Sequence, residues 1–106
     1  MKFAIIGSGS WGTALAKILT DNNNSINWRI RSETIIGHIK NRHHNPQYLS
    51  SAYFDTSLLH LTTNVAEVID NSDCIIIVVP SAYAADVLGR LPKNIFQNKK
   101  VVSAIK

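Results

Sequence analysis

The sequence predicts an α/β fold, a doubly wound and mainly parallel sheet with helices on both faces. Short apolar runs rich in β-branched residues alternate with stretches of helical period, the pattern of strands joined by crossover helices. The first of these runs is continuously apolar, which implies burial on both faces of a central parallel strand. At 106 residues the chain has room for one domain. With 45% apolar and 17% charged residues it can bury a core, and five glycines with three prolines exclude disordered and collagen-like classes. The longest apolar run, Cys74 to Val79, is far shorter than the roughly 20 residues of a membrane-spanning helix.

The first strand is expected over Lys2 to Ile6, and the period then changes. Ala14, Leu15, Ile18 and Leu19 share one face of a helix from Trp11 to Thr20. Asp21-Asn22-Asn23-Asn24 stops it, since short polar side chains bond local backbone and favour turns. Ser25 to Ile30 reads as the second strand, and Ser32 as the N-cap of a helix through Ile35, Ile36 and Ile39 to Arg42. His43 to Asp55, with Asn45-Pro46, shows no period and is expected to be irregular. Leu58 to Thr62 reads as a short strand. Asn64 and Glu67 then form a capping box for a short helix to Ile69 or Asp70. Cys74 to Val79 is a strand stopped by Pro80, with Ser81 capping a helix to about Leu91. Val101 to Ile105 supplies a last, buried-looking strand, after which a complete doubly wound domain would continue into a covering helix. The chain therefore reads as the amino-terminal piece of a longer protein.

Between the first strand and first helix stands Gly7-Ser8-Gly9-Ser10-Trp11-Gly12, a full G-x-G-x-x-G. In the Rossmann-type reading, Gly7 permits the tight turn, Gly9 lets backbone approach a pyrophosphate, and Gly12 lets helix pack on strand. The helix amides and dipole then attract the phosphates. S-adenosylmethionine or a flavin dinucleotide would use a similar turn, and a glycine-rich corner with no ligand is the plain alternative.

The tip of the second strand, where a carboxylate usually meets the ribose of NAD, reads Trp28-Arg29-Ile30-Arg31-Ser32-Glu33. Arg31, or Arg29, can pair with a 2′-phosphate through its guanidinium fork, which favours NADP, while Glu33 would serve NAD if the strand ended later. Val79-Pro80-Ser81 falls at the ligand-bearing edge, where Ser81 can cap a helix or touch a ligand. Lys106 falls at the same edge and can meet a phosphate, polarise a carbonyl, or simply fray. His43-His44 lacks a third ligand at useful spacing, so no metal site is expected. The net charge of +4 points to anionic partners. The basic stretch His38 to His44 carries no aromatic pattern of nucleic-acid binding, so neither a nucleic-acid partner nor membrane insertion is expected. A lone cysteine and no secretory signal suit a reducing cytoplasm.

The blocks Gly7 to Ala16, Trp28, Asn45-Pro46-Gln47-Tyr48-Leu49, Val79-Pro80-Ser81 and Ala104-Ile105-Lys106 together resemble the bacterial NAD(P)-dependent glycerol-3-phosphate dehydrogenases over the whole chain. The resemblance implies an oxidoreductase that reduces dihydroxyacetone phosphate to sn-glycerol 3-phosphate with NADPH or NADH, for phospholipid synthesis. It implies that Ser10 and Trp11 contact cofactor phosphates and nearby groups, Arg31 the 2′-phosphate, and Tyr48 the cofactor site, and that Lys106 touches both cofactor and substrate. Family members often carry Trp-Gly-His or Trp-Gly-Arg where this chain has Trp28-Arg29-Ile30-Arg31, leaving open which arginine takes the phosphate. Many carry Tyr-Leu-Pro where this chain has Tyr48-Leu49-Ser50.

The family's principal catalytic lysine and substrate-phosphate residues belong to a helical carboxyl-terminal domain, so residues 1–106 are expected to be the NAD(P)-binding domain with no catalytic residue of their own and no turnover alone. The full-length protein is expected to be a homodimer. Rival expectations are another two-domain dehydrogenase, such as a ketopantoate or hydroxyacid reductase, and a non-catalytic nucleotide-sensing module.

Overall fold

The computed structural model describes residues 1–92 and 94–104, and of Ser81 only the backbone. Among these residues the order is β1 (Phe3–Ile6), α1 (Ser10–Asp21), β2 (Ile26–Arg29), α2 (Glu33–Arg42), β3 (Leu59–Thr62), α3 (Val65–Asp70), β4 (Cys74–Ile77), α4 (Ser81–Leu88) and β5 (Lys100–Ser103). A 3-10 turn over Thr56–Leu58, which the sequence did not signal, leads into β3. The strands form one sheet in the order β3-β2-β1-β4-β5, with every neighbouring pair parallel. This is the doubly wound sheet that the alternation of periods predicts.

The centre of the sheet explains the continuous apolar run of β1. Ile5 packs with Ala16 of α1, Trp28 of β2, and Ile36 and Ile39 of α2 on one face. Ala4 and Ile6 pack with Val68 and Ile69 of α3 and Ile75 and Ile77 of β4 on the other. Both faces of β1 are thus dry, and each buried isoleucine contributes about 1.5–3 kcal/mol. The chain runs from β1 outward to β2 and β3, then returns past β1 to β4 and β5. That reversal opens a crevice above the carboxyl end of β1.

Several local expectations hold and others shift. Ser32 caps α2, its hydroxyl accepting from the Ile35 amide at 3.3 Å. Asn64 caps α3 by accepting from the Glu67 amide at 3.1 Å. The Glu67 carboxylate does not complete the capping box, because it lies 2.6 Å from His60 Nε2 on β3. The Asn64 amide donates instead to the Thr62 hydroxyl at 3.1 Å. Ser81 is the first residue inside α4, and Pro80 occupies the N-cap, so the capping role read for Ser81 is corrected. The helix ends at Leu88 rather than Leu91, with Gly89 as C-cap. β4 ends at Ile77, although the Val78 amide still donates to the Ile6 carbonyl at 2.9 Å. The buried look of the last strand is also corrected: all of Lys100–Ser103 is exposed, because none of the described residues covers the faces of β5, which pairs only with β4. Ile105 lies outside the described residues.

Candidate functional site

The turn from β1 into α1 is shaped by contacts that only glycine tolerates. Gly7 has a φ of 126°, and a Cβ there would lie 2.6 Å from the Val78 carbonyl oxygen. A Cβ on Gly12 would overlap the carbonyl of Gly7, so this glycine sets how closely α1 sits on the strand. Gly9 differs, since a Cβ there would meet no atom within 4 Å. Its backbone instead faces a cavity of about 610 Å³, which Gly7, Ser8, Ser10 and Trp11 also line. The first turn of α1 has no side-chain cap and no acidic residue. Its first intrahelical bond runs from the Thr13 amide to the Gly9 carbonyl at 2.9 Å. The Ser10 amide, ahead of that bond, lies at the positive end of the helix, beside the cavity.

Two buried side chains hold this turn from behind. The Trp28 indole N–H donates to the Gly7 carbonyl at 2.8 Å. Asn45, wholly buried in the irregular stretch, donates to the Ser8 carbonyl at 3.2 Å and to the Thr13 hydroxyl at 3.1 Å. Its carbonyl oxygen accepts from the amides of Gln47 at 2.9 Å and Tyr48 at 3.3 Å. Gln47 and Tyr48 thereby reach the same cavity as the glycine turn.

The other wall carries the basic residues. Arg29 and Arg31 both line the cavity and a second one of about 480 Å³ that adjoins it. Arg29 is committed to the fold, its Nε donating to the Thr63 carbonyl at 3.0 Å. Burial, and after it the charge of Arg31, lower the pKa of Arg29. Arg31 is exposed, and its guanidinium carbon lies 5.6 Å from the ring centroid of Tyr83 on α4. The pair spans the crevice from the end of β2 to the helix after β4. An anion in the cavity would find the start of α1 on one side and the Arg31 guanidinium on the other.

Of the sequence candidates, Gly7, Gly9, Ser10, Trp11, Arg31 and Tyr48 meet at this one cavity, and Pro80 borders it. Gly12 lies behind the wall, packed on Gly7. Lys106 lies outside the described residues. Sequence reading missed Asn45 as a hydrogen-bonding hub, gave Gln47 no role beyond its place in the resemblance, and missed Tyr83 altogether. Asn45 was visible as a turn-former and as part of the resembling block, but not as a hub, because the partners of its NH2 group lie 32 and 37 residues away.

This geometry has known counterparts. Residues 2–106 match a family model described as the NAD-dependent glycerol-3-phosphate dehydrogenase N-terminus. A glycerol-3-phosphate dehydrogenase [NAD(P)+] of Nitratidesulfovibrio vulgaris (strain DP4) is 32% identical over 106 residues, covering 100% of this chain and 32% of that protein. The enzyme of the same description from Bacillus subtilis (strain 168) is 40% identical over 88 residues, 82% of this chain and 25% of its own. Among solved structures, the glycerol-3-phosphate dehydrogenase of Coxiella burnetii superposes with a TM-score of 0.86 at 26% identity, over 99% of this chain and 32% of that one. An imine reductase from Myxococcus stipitatus in complex with NADP+, at 19% identity and a TM-score of 0.71 over 99% of this chain and 32% of its own, shares the fold alone. The chain spans about a third of the length of the Nitratidesulfovibrio relative. By sequence and by the glycine turn at its centre, it belongs to the NAD-dependent glycerol-3-phosphate dehydrogenase N-terminal family.

Proposed function

We propose that residues 1–106 are the cofactor-binding domain of a glycerol-3-phosphate dehydrogenase and that the crevice over β1 receives NADP, with NAD as a weaker alternative. The observation that carries this reading is the open face of Gly9 beside the start of α1, inside a cavity of about 610 Å³. That volume lies within the ordinary range of ligand sites. A backbone free of Cβ, at the positive end of a helix without an acidic first turn, suits a diphosphate.

In this reading the amides around Gly9 and Ser10 bind the diphosphate, with Trp11 at the cavity mouth. Arg31 takes the 2′-phosphate, being exposed at the rim where Arg29 is tied to Thr63. Tyr48 and Pro80 line the same cavity, and Lys106 is assigned to cofactor and substrate together. The bound nicotinamide supplies hydride transfer to a substrate carbonyl. The chain's part is to fix the cofactor's place, so that the transfer starts from one geometry.

The substrate we assign, from the names of the relatives, is dihydroxyacetone phosphate, reduced to sn-glycerol 3-phosphate for phospholipid synthesis. A helical carboxyl-terminal domain would supply the proton donor and the substrate-phosphate clamp, and the full-length protein would be a cytoplasmic homodimer. Among the described residues no helix is long and apolar enough to cross a membrane.

Titrating the chain with NADPH and NADH tests the cofactor assignment. NADPH is expected to bind more tightly, and Arg31→Ala to erase the difference. Equal binding of both cofactors by the unaltered chain removes the role given to Arg31, and binding of neither removes the cofactor site.

A further inference from the structure

We infer that Asn45 is a positioning residue for the diphosphate, aiming the Gly9 amide into the crevice from behind. This rests on the cofactor site proposed above and adds a residue that does not border the cavity. The amide of Asn45 is 0% exposed and uses all four of its hydrogen-bonding positions. Its orientation is fixed by its partners, because the Ser8 carbonyl can only accept and the Gln47 and Tyr48 amides can only donate.

The consequence follows from peptide geometry. The described peptide bonds are all trans, and in a trans peptide the carbonyl and the N–H after it point in opposite directions. The Ser8 carbonyl is drawn inward by Asn45 at 3.2 Å and by the Thr13 hydroxyl at 3.2 Å. The Gly9 N–H on the same peptide is therefore turned outward, on the side where Gly9 borders the cavity. Trp28 does the same one peptide earlier, holding the Gly7 carbonyl so that the Ser8 N–H faces away from the indole. Two successive donors are thus set before any ligand arrives, which spares the ordering cost of binding. The other end of Asn45 holds the amides of Gln47 and Tyr48, so one side chain also sets the distance between the turn and the loop opposite it.

Asn45→Asp separates these two functions. The carboxylate keeps an acceptor for Gln47 and Tyr48 but sets an oxygen against the Ser8 carbonyl, freeing that peptide to rotate. Binding of NADPH, ADP and adenosine 2′-monophosphate is measured for both proteins by calorimetry, with the amide spectrum followed by 15N NMR. Asn45→Asp is expected to weaken NADPH and ADP by about tenfold. Adenosine 2′-monophosphate, which has no diphosphate, keeps its affinity, and the ligand-induced shift of the Gly9 amide is lost. Thr13→Val, which removes the second hold on the Ser8 carbonyl, is expected to weaken the same two ligands about threefold, and it decides the matter if Asn45→Asp does not fold.

Unchanged diphosphate affinity in a folded variant overturns the inference, as does a parallel loss of all three ligands. If the unaltered chain binds neither NADPH nor ADP, the cofactor reading itself fails; if it binds them and the variants match it, only the role of Asn45 fails.

Discussion

The indole N–H of Trp28 donates to the carbonyl of Gly7 across 2.8 Å, tying the middle of β2 to the first residue of the glycine turn. Trp28 is 0% exposed and its ring lies 5.5 Å from that of Phe54, so the donor cannot swing away. Trp28→Phe should retain much of the apolar burial while leaving the Gly7 carbonyl without this partner. The expected loss is about 1–3 kcal/mol in urea denaturation, together with weaker NADPH binding in a fluorescence titration.

The three motif glycines should answer alanine substitution differently. Gly7→Ala and Gly12→Ala each drive a methyl into backbone, and Gly7 also holds a φ of 126°, so both should lose about 2–4 kcal/mol by thermal or chemical unfolding. Gly9→Ala should leave stability within about 0.5 kcal/mol, because the added methyl meets nothing, yet it should weaken NADPH by more than tenfold in calorimetry. Equal stability losses at all three positions would contradict this division.

The two rim arginines should separate in the same way. Arg29→Ala removes the donor to Thr63 and is expected to lower the melting temperature while keeping a preference for NADPH over NADH. Arg31→Ala should leave the melting temperature nearly unchanged and abolish that preference. Differential scanning fluorimetry paired with the two titrations reads both effects.

Asp55, which caps the 3-10 turn, gives a pH prediction. The Ser57 hydroxyl and then the Ser57 amide bond its carboxylate, at 2.6 and 3.1 Å, and lower its pKa below the ordinary value. Since these bonds favour the charged form in the folded state, their stabilisation is complete above the unfolded carboxylate value, about 3.9, and disappears as pH falls through the folded one. Carboxyl-carbon NMR should show Asp55 titrating below an unperturbed aspartate. The stability gap between wild type and Asp55→Asn should close on acidification.

The alternation of strands and helices, the glycine turn and the cap at Ser32 were legible because each depends on residues close in sequence. The site was less so. Periodicity marks Asn45 as a turn-former and cannot show that its amide closes on Ser8, 37 residues earlier. Arg29 and Arg31 look equivalent along the chain, and only the Thr63 carbonyl, brought alongside by β3, distinguishes them. The capping box failed at Glu67 for a similar reason, since His60 arrives from the neighbouring strand. The exposure of β5 was hidden because Val101 and Val102 spell a core strand whether or not anything lies over them.

The reversal of the chain at β1 has a consequence for how such a protein can change. The groove exists because successive connections leave the first strand in opposite directions, so no side chain has to prop it open. In the proposed reading, the residues that would grip the diphosphate belong to one corner, and Arg31, which would discriminate between coenzymes, stands on a separate connection after β2. Coenzyme choice can accordingly drift, or be redesigned, at the periphery while the anion-holding corner stays as it is.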